Sequence, residues 1–357
     1  MKMNNQNVIN KLSFVRDALV ANNADAVLFV SPQNRFWLTE FMSTCGFLVV
    51  TKKNSSLFVD GRYINAALRI AKVDDVKRLN SLDCVVEHLK STAAKNVMVE
   101  KEYLNVGLQE TLSNKTKIKF ISFESARLRS IKTENELKKI TDAAIVVCKI
   151  ANRLKNYIKP GMSEIAISKW ISKQILENAE RDSFSPIVAA GGNGANPHHH
   201  PSTKKILAGE FVTCDFGCVL NEYCSDLTRT YIVGKPKNQR LINVYKTVYK
   251  SNQVGIAIAS NKVSGKQVHE SCAAVINQAS LGKYFLHSTG HGVGIDVHEY
   301  PYIAANNDET LAINSVVTVE PGVYIAGVGG VRIEDMIIIK NNGNKHITKL
   351  ATIPELK

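Results

Sequence analysis

The sequence predicts an α+β protein: a curved antiparallel sheet with outer helices, preceded by a smaller α/β domain. Three observations carry that prediction. Two stretches rich in Val, Ile, Thr and Tyr alternate apolar and polar residues as β-ribbons do, and each carries a pair of acids placed symmetrically about its turn. Two long helical segments precede each ribbon, an order that implies an internal duplication of helix-helix-ribbon halves. The first 125 residues alternate short strand and helix signals and hold no catalytic cluster of their own. The expected domains are therefore 1–125 and 126–357, each long enough for its own core.

Taken in order, residues 4–23 read as an amphipathic helix with Val8, Leu12, Val15 and Leu19 on one face. Strand signals follow in ADAVLFV, GFLVVTKK and SSLFVDGR, then a helix near 63–71. A helix at 83–90, a strand at 97–100, a helix at 106–112 and a strand at 118–121 complete the first domain. Thr133 with Glu136 forms a capping box, so a helix starts there and runs towards Tyr157, where Pro160-Gly161 stops it. Ser163 and Glu164 open the next, which runs to about Asn178. Two further helices are expected at 239–259 and 265–281.

The first ribbon, VTCDFGCVLNEYCSDLTRTYIV, has its expected turn near Leu220-Asn221. Asp215 and Asp226 are symmetric about that turn, which puts them opposite one another with β-carbons about 5 Å apart. The second, VVTVEPGVYIAGVGGVRIEDMIII, turns at the Gly-rich run 327–330, and Glu320 and Glu334 are symmetric about Gly327. Either pair alone fits a solvated hairpin. Both pairs, embedded in apolar sequence, point instead to buried acids that a cation must compensate. Between the ribbons lies HSTGHGVGIDVHE, with His287, His291 and His298. An oxygen-rich set with one imidazole suits manganese, cobalt, iron or zinc. Two such ions polarise a carbonyl and activate water, which is hydrolytic chemistry. Arg332, two residues before Glu334, is expected on the same face, clamping a carboxylate bidentately.

Composition narrows the classes. The chain has 45% hydrophobic and 22% charged residues, ordinary for a soluble globular protein. No apolar run reaches membrane-spanning length and the start lacks a secretory core, so a cytoplasmic location is expected. The seven scattered cysteines read as reduced thiols, and their spacing does not suit a zinc site. The net charge of +13 comes from lysines spread along the chain without aromatic interleaving. Specific nucleic-acid binding is therefore not expected, and neither is a membrane partner.

The motifs IVAAGGNGANPH, VTCDFG, YCSDLTRT, HSTGHGVGIDVHE, VEPGVYI and GGVRIED, in that order, resemble the pita-bread metallopeptidases. That family includes aminopeptidase P, prolidase and the creatinases. FWLTEF and LFVDGRY resemble the creatinase-type amino-terminal domain, so the resemblance covers nearly the whole chain. It implies a pair of divalent ions, manganese foremost, on Asp215, Asp226, His291, Glu320 and Glu334. It implies that His198 and His298 bind substrate and stabilise the oxyanion or leaving nitrogen, with Glu320 also shuttling a proton. His287 and Arg332 would support these groups from behind. His199 and His200 have no counterpart in the family and are expected in a solvated loop. Glu40 stands where relatives often carry glycine, and Phe36 or Trp37 is expected to reach a partner subunit's site in a homodimer. The implied activity is removal of an amino-terminal residue that precedes proline. The alternatives are a prolidase acting on Xaa-Pro dipeptides and, remotely, an inactive binding protein on the same fold.

Overall fold

A computed structural model describes residues 4–349, with the side chains of residues 4–10 outside the description. The chain forms two compact units that divide between Arg129 and Ser130, rather than at 125/126. The extra residues are a short 3-10 turn, Ser125–Arg129, whose Arg129 Nη1 donates to Asn34 Oδ1 at 3.1 Å and so ties it to the first unit.

The first unit is a six-stranded mixed sheet with helices. Its strands are β1 (Ala26–Phe29), β2 (Phe47–Thr51), β3 (Ser55–Val59), β4 (Asp75–Arg78), β5 (Asn96–Glu100) and β6 (Lys119–Phe123), in the order β4-β3-β2-β1-β5-β6. Its helices are α1 (Asn4–Ala21), α2 (Pro32–Thr39), α3 (Ile64–Ile70), α4 (Leu82–Ser91) and α5 (Val106–Lys115). Val15 and Leu19 of α1 are buried and Leu12 half-buried, as the periodicity predicts, while the Val8 side chain lies outside the described residues. α2 and β4 are not among the elements predicted from sequence. α2 is one short turn pair buried on most sides, so it shows little amphipathic contrast. β4 is an edge strand, Asp-Val-Lys-Arg, and is largely polar. One expectation for FWLTEF changes, and the departure at Glu40 gains a physical setting. Phe36 and Trp37 are buried, so neither side chain is free to extend from the surface. Glu40 caps α2 with φ +55°, the left-handed conformation that glycine adopts without strain, and its carboxylate meets Lys72 Nζ at 2.6 Å.

The second unit holds the ribbons and the histidine cluster singled out from the sequence. Helices α6 (Glu134–Tyr157) and α7 (Glu164–Asn178) come first, α6 opened by the Thr133/Glu136 capping box. Then come β7 (Arg181–Asp182), β8 (Ile187–Ala190), β9 (Phe211–Phe216), β10 (Cys218–Leu220), β11 (Tyr223–Cys224) and β12 (Leu227–Ile232). β8, β9 and β12 form an antiparallel sheet. Helices α8 (Gln239–Ile258) and α9 (Gly265–Gln278) precede the second set: β13 (Gly290–Gly292), β14 (Glu299–Ile303), β15 (Val316–Val319), β16 (Gly322–Ile325), β17 (Gly329–Arg332), β18 (Asp335–Lys340) and β19 (Gly343–His346). These give a sheet in the order β14-β13-β15-β18-β19 and the separate ribbon β16-β17. Both halves thus run helix, helix, antiparallel ribbon. α6 and α7 pack Val147, Ile150, Leu154, Ile171 and Ile175 against Val212, Cys214 and Phe216 of β9. Cys214 therefore points into the core, and alternation along the strand turns Asp215 the other way. All seven cysteines are free.

Candidate metal centre

The second ribbon follows the predicted register. β16 pairs β17 with Gly322 opposite Arg332, and β15 pairs β18 with Val319 opposite Asp335. Glu320 and Glu334 sit between these two pairings, facing each other. The turn closes at Ala326-Gly327-Val328, where Gly327 has φ +72°.

The first ribbon does not. Val219 pairs Cys224 and Leu220 pairs Tyr223, so the turn residues are Asn221 and Glu222, with φ +52° and +64°. Two left-handed residues in succession make a type I′ turn, one residue later than expected. Asp215 consequently faces Thr228 rather than Asp226. Asp226 falls at a break between β11 and β12, in line with Gly217. A β-carbon on Gly217 would lie 1.9 Å from the Ser225 carbonyl oxygen, so only glycine lets the two chains approach there. The break brings Asp226 onto the face where Asp215 already points.

All nine side chains singled out from the sequence line one cavity of about 570 Å³. Ligand atoms of Asp215, Asp226 and Glu334 lie within 4.8 Å of one another, as do those of His291, Glu320 and Glu334, and those of Asp226, His291 and His298. Asp226 and Glu334 belong to two sets each, so the groups are contiguous. His291 Nδ1 faces the Gly292 carbonyl at 3.1 Å, which keeps a proton on Nδ1 and turns Nε2 towards the acids, where it donates as imidazolium in the metal-free chain and would offer a lone pair to a cation once deprotonated. That Nε2 lies 3.2 Å from Glu320 Oε1 and 3.7 Å from Asp226 Oδ2.

Electrostatics argue for a cation here. Burial, with Glu334 and Asp215 nearby, pushes the Asp226 carboxyl well up. Burial, with Glu320 and Asp215, does the same to Glu334. Burial also raises Asp215, although the Arg332 guanidinium works against it. Glu320 goes the other way: the His291 hydrogen bond and charge outweigh its burial and hold it at about 2. Asp215 Oδ1, Asp226 Oδ1 and Glu334 Oε1 are buried with no hydrogen-bond partner. Orphaned carboxylate oxygens converging on one volume are what divalent ions with oxygen ligands require.

Supporting side chains fix the cage. Arg332 Nη2 donates to Asp215 Oδ2 at 2.7 Å, but through one nitrogen rather than the expected two-point clamp. Its Nη1 reaches the Tyr324 hydroxyl at 2.8 Å and its Nε the Thr228 hydroxyl at 3.2 Å. Thr228 in turn donates to Glu334 Oε2 at 2.8 Å. Tyr324 continues the relay to His287 Nε2 at 2.8 Å. Burial lowers the pKa of His287, and burial beside His291 lowers that of His298. His198 and His298 are exposed on the cavity wall, and His298 packs edge-on against His291 with centroids 4.1 Å apart. His199 contradicts its expected solvation: it is half-buried, with Nε2 2.9 Å from the fully buried Glu164. Thr228, Tyr324 and Glu164 were missed from sequence. Only the Thr-Arg-Thr alternation beside Asp226 carried a signal, and it concerned Thr228 alone.

Comparison with known proteins gives the class. Residues 138–341 match the model of metallopeptidase family M24, and residues 11–131 match the creatinase/prolidase amino-terminal domain. The chain belongs to metallopeptidase family M24, and its fold is the pita-bread fold with a creatinase-like amino-terminal domain. Among individual proteins, it is 40% identical over 342 residues to a Mycoplasma genitalium protein provisionally named Xaa-Pro aminopeptidase, covering 95% of this chain and 96% of that one. The solved Xaa-Pro dipeptidase of Bacillus anthracis superposes with a TM-score of 0.93 at 33% identity, covering 97% of this chain and 99% of that chain. The X-Pro aminopeptidase structure from Thermotoga maritima gives 0.85 at 28% identity, covering 92% and 96%.

Proposed function

We propose that the chain is an Xaa-Pro aminopeptidase, which hydrolyses the bond between a peptide's first residue and a following proline. The observation that carries this reading is the set of orphaned, buried carboxylate oxygens on Asp215, Asp226 and Glu334, joined by His291 and Glu320. In the proposal these five residues hold two divalent ions, manganese by preference, with cobalt, zinc or iron as substitutes. When bound, such ions polarise the scissile carbonyl and acidify the attacking water.

The chain's own groups do the rest. The acid-rich floor attracts the free α-amine of the substrate. His198 and His298 donate hydrogen bonds to the oxygen that gains charge as the carbonyl becomes tetrahedral. Glu320 takes the proton lost by water and returns it to the proline nitrogen. It suits that task because its side chain, at 16% exposure, is more open than those of Asp226, at 5%, and His291, at 10%. Phe184, Pro186, Pro197, Pro201 and Tyr302 give the rim apolar surface for a pyrrolidine ring. An Xaa-Pro bond has no N–H, so nothing in the site needs to accept one.

The relatives' names support either an aminopeptidase or a dipeptidase, and the cavity wall favours the first. A dipeptide ends in a carboxylate one residue past the scissile bond. Among the described residues lining the cavity there is no lysine, and the single arginine, Arg332, is engaged with Asp215. A longer peptide places a neutral amide there. The proposal also includes a homodimer in the cytoplasm, supported by the family resemblance and by the composition. The test is side-by-side kinetics on an Xaa-Pro dipeptide and the Xaa-Pro-Yaa tripeptide with added manganese. A higher kcat/KM on the tripeptide is expected. Preference for the dipeptide makes the chain a prolidase, and turnover of neither removes the peptidase reading.

A further inference from the structure

Glu164, the first residue of α7, is fully buried, and nothing in the mechanism above uses it. Its carboxylate accepts from the Ala190 amide at 2.8 Å and from Asn193 Nδ2 at 3.0 Å. It also accepts from the Ser202 amide at 3.0 Å, the Ser202 hydroxyl at 2.6 Å and His199 Nε2 at 2.9 Å. Two of these donors open the segment 190–202 and three close it. One carboxylate therefore clips both ends of a loop, and His198 lies between the clipped points.

His198 depends on that clip more than most side chains would. Among the described residues its imidazole has no hydrogen-bond partner; only its backbone amide is bonded, to Asn196 Oδ1 at 3.2 Å. Its place on the cavity wall is set by the backbone that carries it. The same loop rests on β17: a β-carbon on Gly194 would meet the Gly330 amide nitrogen at 3.0 Å, and the Pro197 carbonyl accepts from Arg332 Nη1 at 3.4 Å. A loop released at one end exchanges a single geometry for many, and small displacements of a reacting group are expensive in rate.

We propose that Glu164 and His199 are positioning residues that hold the 190–202 loop closed and so aim His198 at the reacting carbonyl. This inference rests on the role given to His198 above. Its test separates the two. Amide hydrogen exchange is measured by mass spectrometry on the full chain for wild type, His199→Ala, His199→Gln and Glu164→Gln. Steady-state kinetics on an Xaa-Pro-Yaa tripeptide with manganese accompany it. In His199→Ala, loss of one charge-assisted bond should speed exchange across 193–202 about tenfold and lower kcat about tenfold. KM should stay within about twofold, since His198 acts on the transition state. Exchange in β15 and β18 and the bound metal per chain stay at wild-type levels. Glutamine at 199 still donates to Glu164 and recovers most of both effects, whereas Glu164→Gln, which removes the charge and turns one of the two acceptor oxygens into a donor, loses more than His199→Ala.

The inference is overturned if exchange in 193–202 is unchanged in His199→Ala, or rises equally throughout the unit. It is overturned equally if glutamine rescues nothing, or if KM rises at constant kcat. Should Glu164→Gln fail to fold, the two His199 variants decide alone. Should the wild type turn over no Xaa-Pro peptide, the peptidase reading falls, while the exchange data still judge the clip.

Discussion

Replacing Asp226 by asparagine should move the thermal stability of the second unit in opposite directions with and without metal. Carboxylate oxygens of Asp215, Asp226 and Glu334 lie within 4.8 Å of one another. Two unit charges at that separation repel by about 3.5 kcal/mol at an effective dielectric of about 20. Asp226 takes part in two such contacts. Part of the repulsion is already relieved in the metal-free chain, because burial and the neighbouring acids hold Asp226 and Glu334 towards their protonated forms. Relief of about 1–2 kcal/mol on mutation is therefore expected, raising the Tm in chelator by about 3–6 °C. Metal at a hundredfold excess over Kd stabilises the wild type by about 2.7 kcal/mol, and the variant loses that gain. Scanning calorimetry in chelator and in manganese reads both arms. A destabilisation of the same sign and size under both conditions would refute the idea that these acids form a strained cation cage.

Two further outcomes are expected, one at the same site and one in the first unit. Gly217→Ala forces a β-carbon towards the Ser225 carbonyl, 1.9 Å away, and so displaces Asp226; manganese affinity measured by calorimetry should fall more than about tenfold. In the first unit, the Asn96 and Lys95 amides hold the Asp25 carboxyl below its ordinary value of 3.8. The folded chain then binds fewer protons than the unfolded chain in the window below that value. Stability is present above it and lost as pH falls through the lowered pKa. Asp25→Asn should flatten that acid limb in a series of urea titrations between about pH 5 and pH 2.

Local signals in the chain determined a great deal. Caps at Thr133 and Ser163 and periodicity placed the four long helices of the second unit within a few residues, and the structure adds Asn238 and Ser264 as the caps of the other two. The glycines near 327 fixed the turn of the second ribbon, and with it the pairing of Glu320 against Glu334. The acids and imidazoles of the cavity were legible too, since so many ionisable groups in apolar strands demand a common explanation. What folding alone decided was everything that depends on the sign of a dihedral or on a distant partner. Positive φ at Asn221 and Glu222 moved one ribbon by a residue, so Asp215 and Asp226 meet through a strand break and not across a ladder. Arg332, Thr228 and Glu334 connect over more than a hundred residues, and Glu164 reaches its donors only when α7 lies under the 190–202 loop. A hydrogen bond of that kind leaves no periodic trace in sequence, because neither partner's neighbours reveal which backbone will arrive opposite it.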